Sequence, residues 1–250
     1  MCRLLGVVAR KPDAISELLV DDLDPFLAMA CEHNDGWGVA AVRAAGVVSI
    51  VKEPLRADHS DFIRPVLDGG VTDAALLHIR MATQQFPITA QNTHPFGDHL
   101  VAFAHNGEFS PATCLDEAIG PDLMATAQGE TDSERLYLAV RRRIDDGMEP
   151  AKAIAQVADE VRSRAASSVS LNCLLLTPSA LYAYTEHDED SAVIQRRGQG
   201  YFGLSFRQEE EKIVVASTGW PQPSPRWTPL PERHVLEIRR GDLNITVHGV

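Results

Sequence analysis

The chain opens on an apolar run. Residues 2–9 do not alternate between apolar and polar, so the pattern predicts a strand covered on both faces. Two further runs of this kind occupy residues 74–80 and 100–105, the second stopping at Asn106-Gly107. Residues 39–43 and 47–52, joined by Ala44-Ala45-Gly46, read as a hairpin. Asp13 and the pair Asp24-Pro25 mark helix starts. Residues 60–67 carry apolar positions at helical spacing and end at Asp68-Gly69-Gly70. The clearest helix follows residues 129–134, with Leu136, Tyr137, Val140 and Ile144 as its stripe and Gly147 closing it. Pro150 opens another, with Ile154, Val157 and Val161 inward. From Ser170 the texture returns to short strands at 171–177, 180–185, 192–196, 201–206, 212–218, 235–239 and 243–247. Turn residues at short intervals predict antiparallel connections, and the proline-rich segment 221–231 reads as a surface loop. Strands, then two helices, then strands predict an α+β fold of two stacked sheets with helices outside. One domain is expected.

Composition narrows the partners. A chain of 250 residues, 44% hydrophobic, can bury one large core. A net charge of −12 argues against nucleic acid and against an anionic membrane surface. No run approaches the ~20 apolar residues of a membrane span, and no basic segment precedes the first apolar run, so a cytoplasmic location is expected. Cys2, Cys31, Cys114 and Cys173 form no CxxC pair and read as free thiols. The histidines do not pair with cysteines at ligand spacing, so neither a metal nor another cofactor is expected.

The chemistry centres on Cys2. With Met1 removed, this residue carries both a thiol, of ordinary pKa about 8.5, and an α-amine of about 7.7–8.0. Near neutral pH the free amine can take the thiol proton, giving a nucleophile with its own base. Three other segments fit attack on an amide. A tetrahedral intermediate needs donors for its oxyanion, which the Asn106 side chain and the Gly107 N–H can supply. A substrate with an amino-acid head needs a cation for its carboxylate and an anion for its ammonium. Arg80 can grip a carboxylate through two parallel bonds, Asp132 can hold the ammonium, and Thr83 stands beside them. Each also has a plainer reading. Arg80 could be a surface charge, Asn106-Gly107 a hairpin turn and Asp132 a helix cap. Glu130 and Glu134 read as solvated, and His105 as a packing residue.

Taken together, and in this order, the segments resemble the class II glutamine amidotransferases. The matching residues are Met1-Cys2, the His-x-Arg-x-Ala-Thr stretch from His78 to Thr83, Asn92-Thr93-His94-Pro95, His105-Asn106-Gly107 and Gly-Glu-Thr-Asp-Ser-Glu from Gly129 to Glu134. Asp35-Gly36-Trp37-Gly38 is similar to the family's glycine-rich second-strand segment. The resemblance implies an N-terminal-nucleophile (Ntn) hydrolase: a four-layer αββα sandwich formed by residues 2–250 after loss of Met1. It implies Cys2 as nucleophile with its amine as base, and Asn106 and Gly107 as the oxyanion hole. It implies Arg80 with His94 on the substrate carboxylate, Asp132 on the ammonium and Thr83 lining the pocket. The implied reaction is hydrolysis of the γ-amide of glutamine or of a γ-glutamyl compound through a Cys2 thioester. Glutamate leaves together with ammonia or an amine. The chain resembles the stand-alone members, without a fused synthase domain. The ammonia then goes to a separate synthase subunit, or the protein is a γ-glutamyl amidase acting on a modified metabolite. A reading from another class is a non-catalytic Ntn-fold binding subunit. The sequence departs from the synthase subgroup at Met81, where tryptophan is common, and at Gln84-Gln85, in the loop that closes over substrate.

Overall fold

The computed structural model describes residues 1–83, 86–223 and 225–249. Strand β1 (Arg3–Ala14) leads into two short helices, α1 (Ile15–Leu18) and α2 (Leu23–Ala28). The hairpin β2 (Gly36–Val42) and β3 (Val48–Glu53) follows, then α3 (Ile63–Gly69) and β4 (Val71–Arg80). Next come β5 (Phe96–Gly97), β6 (Ala102–Ser110), α4 (Asp116–Ile119) and α5 (Pro121–Met124). Two long helices, α6 (Asp132–Asp145) and α7 (Pro150–Arg164), precede β7 (Ser167–Leu176) and β8 (Ala180–Thr185). The last third holds α8 (Ala192–Arg197), β9 (Leu204–Gln208), β10 (Lys212–Ser217), β11 (Thr228–Pro229), β12 (His234–Arg239) and β13 (Ile245–Gly249).

Among the described residues the strands form a seven-stranded sheet, β11-β9-β10-β1-β4-β2-β3, and a six-stranded one, β13-β12-β8-β7-β6-β5. The pairings in both are antiparallel. Strand β1 shows why its sequence fails to alternate. Leu4 and Val8 pack between the sheets, among Leu76, Ala104, Leu174 and Leu181. Leu5 and Val7 turn to the outer face, beneath Ile15, Leu19 and Phe26 of the α1–α2 region. On the second sheet Phe103, Leu175 and Tyr184 face outward to Leu136, Val140, Ile154 and Val157 of α6 and α7. The result is the expected four-layer αββα sandwich. Each fully buried aliphatic or phenylalanine side chain contributes about 1.5–3 kcal/mol.

Four local expectations change. β1 runs on through Ala14, so Asp13 lies in the strand instead of capping a helix. The segment 192–196 is helical: Ser191 accepts the Ile194 N–H at 3.4 Å, and only Ile194 of α8 is buried, a one-sided pattern unlike a covered strand. The strand expected at 201–206 starts later, at Leu204. Most important, β6 does not stop at Asn106-Gly107. It continues to Ser110, with Asn106 opposite Asn172 and Gly107 opposite Leu171, so the pair sits within a strand and is not a turn.

A buried ion pair ties the α2 end to β9. Arg207 donates to both carboxylate oxygens of Asp22, at 2.9 and 2.7 Å, with both side chains sealed from solvent. Arg207 Nε also meets the partly exposed Glu209 at 2.6 Å, so removing Asp22 leaves the buried guanidinium only partly compensated. Asp22→Ala is therefore expected to cost about 3 kcal/mol, the lower end for a broken buried pair, seen as a lower urea midpoint. The double change Asp22→Leu with Arg207→Met should recover most of that loss.

Candidate active site

The antiparallel registers bring the site together at one end of the sandwich. β1 pairs Arg3 with Ile79 and Leu4 with His78, which sets Cys2 beside Arg80 at the end of β4. β2 pairs Gly36 with Arg80. A Cβ on Gly38 would overlap the His94 carbonyl, so glycine there lets the Asn92–Pro95 segment lie directly on β2. Lys52 of β3 fastens the same segment, donating to the Thr93 and Pro95 carbonyls at 2.6 and 3.1 Å. Burial lowers its ammonium pKa to about 8, with Glu134 acting in the opposite direction. From the second sheet, β6 carries Asn106 and Gly107, and Asp132 stands in the first turn of α6.

A cavity of about 20 Å³ lies where these segments meet. Cys2, Arg80, Thr83, His94, Gly107 and Asp132 all border it, with Met1 at its edge. Asn106 does not line the cavity; it is fully buried next to Gly107. Ala102 and Ala104 of β6 pack between the sheets, and Asn106 continues that face by the two-residue period of a strand. Neither its Nδ2 nor its Oδ1 has a hydrogen-bond partner among the described residues. Leaving a buried polar group unpaired costs about 1–3 kcal/mol, so such a group asks for an explanation. Gly107 answers to a close approach of its own, because a Cβ there would overlap the Ser170 carbonyl of β7. A larger cavity, about 690 Å³, lies elsewhere, along Arg162, Glu186 and His187, and contains none of the sequence-derived site residues.

The site's charges are set mainly by burial. The Cys2 thiol donates toward the Met81 carbonyl at 3.7 Å. Burial raises its pKa above the ordinary thiol range, against the opposing pull of the terminal ammonium and Arg80. The resting thiol is therefore protonated and needs a base. Arg80 is buried, its Nη1 has no partner among the described residues, and Nη2 only reaches the Pro87 carbonyl at 3.5 Å. The His94 ring packs between His78, tilted against it at 4.2 Å between centroids, and Phe96, which it meets edge to face at 4.7 Å. Burial holds both imidazoles well below their usual pKa, so His94 faces the cavity uncharged. The Asp132 carboxylate accepts the Phe109 and Ser133 N–H groups at 2.9 and 2.8 Å. Thr83 donates to Glu108 at 3.4 Å.

The plainer readings are now resolved. Thr131, not Asp132, caps α6, its hydroxyl accepting the Glu134 N–H at 3.1 Å. His105 borders the cavity, but both ring nitrogens are taken, by Ser133 Oγ at 2.9 Å and the Ser170 carbonyl at 3.0 Å. Glu130 is exposed as expected. Glu134 is not: it is buried, and its carboxylate accepts the Gln128 and Gly129 N–H groups at 2.8 and 2.7 Å. Two residues of the matching motifs, given no role by the sequence, support the site. Asp35 accepts the Ala82 N–H at 2.7 Å, and its own N–H donates to the Arg80 carbonyl at 3.0 Å, fixing the start of the Met81–Thr83 segment. Asn92 accepts the Glu130 N–H at 2.9 Å and donates to Pro87 at 3.2 Å, joining that loop to the acidic segment. The position of Asp35 directly before the glycine that pairs with Arg80 was the signal available. Gln84 and Gln85 lie outside the described residues.

Residues 1–248 match the family described as glutamine amidotransferases class-II. The chain belongs to that family. It is an enzyme, and its chemistry is hydrolysis of the class II amidotransferase type. It is 25% identical over 258 aligned residues to the γ-glutamyl-hercynylcysteine sulfoxide hydrolase of Mycolicibacterium smegmatis, covering 98% of this chain and 99% of that one. A glutamine aminotransferase class-II domain protein from Silicibacter pomeroyi superposes with a TM-score of 0.70 at 19% identity, over 99% of each chain. The glutamine phosphoribosylpyrophosphate amidotransferase of B. subtilis gives 0.66 at 16% identity, with 99% of this chain matching 49% of that one. Those structural likenesses establish the shared Ntn-hydrolase fold. Among the described residues no helix is long and apolar enough to cross a membrane.

Proposed function

We propose that residues 2–250, freed of Met1, act as one unit that hydrolyses a γ-glutamyl amide through a thioester on Cys2. One observation carries this reading: a thiol, a buried guanidinium whose Nη1 has no partner among the described residues and a fixed carboxylate border a single cavity. A γ-glutamyl group presents a carboxylate and an ammonium at one end and the scissile amide at the other. Arg80 takes the carboxylate, with the neutral His94 beside it. Asp132, held by two backbone donors, takes the ammonium, and Thr83 lines the chain between. At about 20 Å³ the cavity has room for one water. Loss of Met1, which borders it, both frees the amine and makes space for substrate.

The free amine of Cys2 accepts the thiol proton, and the thiolate attacks the γ-carbonyl carbon. The oxyanion is held by the Asn106 carboxamide and the Gly107 N–H. The C–N bond breaks and the departing nitrogen takes the proton from the Cys2 ammonium. Water then adds to the thioester, its proton passing to the amine. The C–S bond breaks, glutamate leaves and the thiol is restored. The M. smegmatis relative, by name a hydrolase of a γ-glutamyl compound, supports a substituted amide as substrate.

An intact-mass spectrum after treatment with a glutamine-like electrophile tests the reading. The expected result is a protein lacking Met1 with one adduct on Cys2, suppressed by a γ-glutamyl amide. Met1 retained in fully active protein overturns it. Transfer of ammonia to a separate synthase subunit, the second reading that family membership supports, requires glutamine to outpace every substituted amide. Asp132→Asn should raise KM about 100-fold with a smaller change in kcat, because it removes the charge that meets the ammonium while leaving an oxygen to accept a backbone donor.

A further inference from the structure

In the mechanism just proposed, the leaving nitrogen takes its proton from the Cys2 amine. Its substituent therefore starts within hydrogen-bond reach, about 3 Å, of the nitrogen that carries Met1 in this structure. The residues around Met1 are the ones a leaving group would meet, and they are charged. Arg3, Arg197 and Glu108 all act on the Met1 ammonium, and His33 lies close to Arg3 and the chain terminus. Glu108 is bound to Thr83, and Arg197 is exposed and paired with Glu32 at 3.3 Å.

Arg3 differs from these. It is 4% exposed, its guanidinium stacks over the Tyr201 ring at 4.2 Å, and Nη1 donates to the Cys2 carbonyl at 3.2 Å. Its Nε has no hydrogen-bond partner among the described residues. Three arginines are buried in this chain: Arg3, Arg80 and Arg207. Arg207 holds Asp22, whereas neither Arg3 nor Arg80 meets a carboxylate among the described residues. An uncompensated buried charge is strongly destabilising, and the two arginines that accept this cost lie on either side of Cys2. One is across the β1–β4 pair and the other is the next residue in the chain.

We infer that Arg3 binds a second substrate carboxylate, on the leaving-group side, so that the substrate is the γ-glutamyl amide of an amino acid and not glutamine or a simple alkyl amide. Such a molecule carries one carboxylate on its glutamyl end for Arg80 and one on the departing amino acid for Arg3. The second carboxylate carbon is two bonds from the scissile nitrogen. The Arg3 guanidinium already contacts the carbonyl of the residue whose amine meets that nitrogen, so the reach is short. This inference rests on the proposed role of Cys2 and adds the identity of the leaving group.

γ-Glutamyl-alanine and γ-glutamyl-ethylamide test it, since they differ only in the carboxylate of the leaving group. The wild-type enzyme should favour the alanine compound by about 100-fold or more in kcat/KM, as sites built around a specific polar group do. Arg3→Met should remove most of that ratio through loss on the alanine compound, and Arg3→Lys should restore part of it. A wild-type ratio near one, which needs no variant to fold, overturns the inference. So does an equal fall for both amides in Arg3→Met. In either case turnover itself leaves the reading of Cys2 standing. Turnover of neither amide also overturns the inference, and labelling of Cys2 by the electrophile then decides whether the reading of the site falls with it.

Discussion

Cys2→Ala is expected to lose at least about 10⁴-fold in kcat, the scale on which removal of a catalytic nucleophile acts, and to form no covalent adduct with a glutamine-like electrophile. The variant should fold normally. It deletes one sulfur from a residue whose thiol makes a single long contact to the Met81 carbonyl, and alanine fits the same strand end. A thermal midpoint within a few degrees of wild type, together with the lost turnover, would separate chemistry from folding. Turnover at the wild-type rate would remove Cys2 from the mechanism.

Asn106→Ala is expected to lower kcat by about 10²–10³, the effect of one oxyanion donor, with KM little changed. Its stability should barely move, because neither carboxamide atom has a partner to lose among the described residues. The adjacent strand provides a control. Asn172 lies opposite Asn106, yet its side chain is fully engaged. Oδ1 accepts from Thr185 Oγ1 at 3.1 Å and the Glu186 N–H at 2.9 Å, and Nδ2 donates to the Phe202 carbonyl. Asn172→Ala should therefore destabilise by about 2–3 kcal/mol, since buried donors and acceptors are orphaned. The opposite pattern, a stable Asn172→Ala and a destabilised Asn106→Ala whose folded fraction keeps the wild-type kcat, would assign Asn106 to structure.

The layers of the fold were legible because their cause is local. A strand covered on both sides cannot alternate, and residues 2–9 and 74–80 do not. The ambiguity at Asn106-Gly107 was not local. The dipeptide favours a turn, and only the pairing of Glu108–Ser110 with the start of β7 carries the strand onward. Segment 192–196 was misread because a short apolar run fits a helix as well as a strand, and the Ser191 cap that decides it looks like any turn serine. Glu134 was misplaced for a related reason: an acid near a helix start reads as solvated until the loop before it folds back and offers two N–H groups. Arg3 carried no signal of its own beside the nucleophile. Its isolation from any carboxylate is a property of the packed state.

β1 lies inside the larger sheet, between β10 and β4, and its first residue follows directly on Cys2. Met1 already borders the cavity, and any extension ahead of Cys2 would keep its amine as an amide. A purification handle therefore belongs at the other terminus, where β13 forms a sheet edge with partly exposed residues. The specific activity of a preparation would then count the molecules from which the host's methionine aminopeptidase has cleared the initiator. On the proposed reading of Cys2, initiator removal is a maturation step.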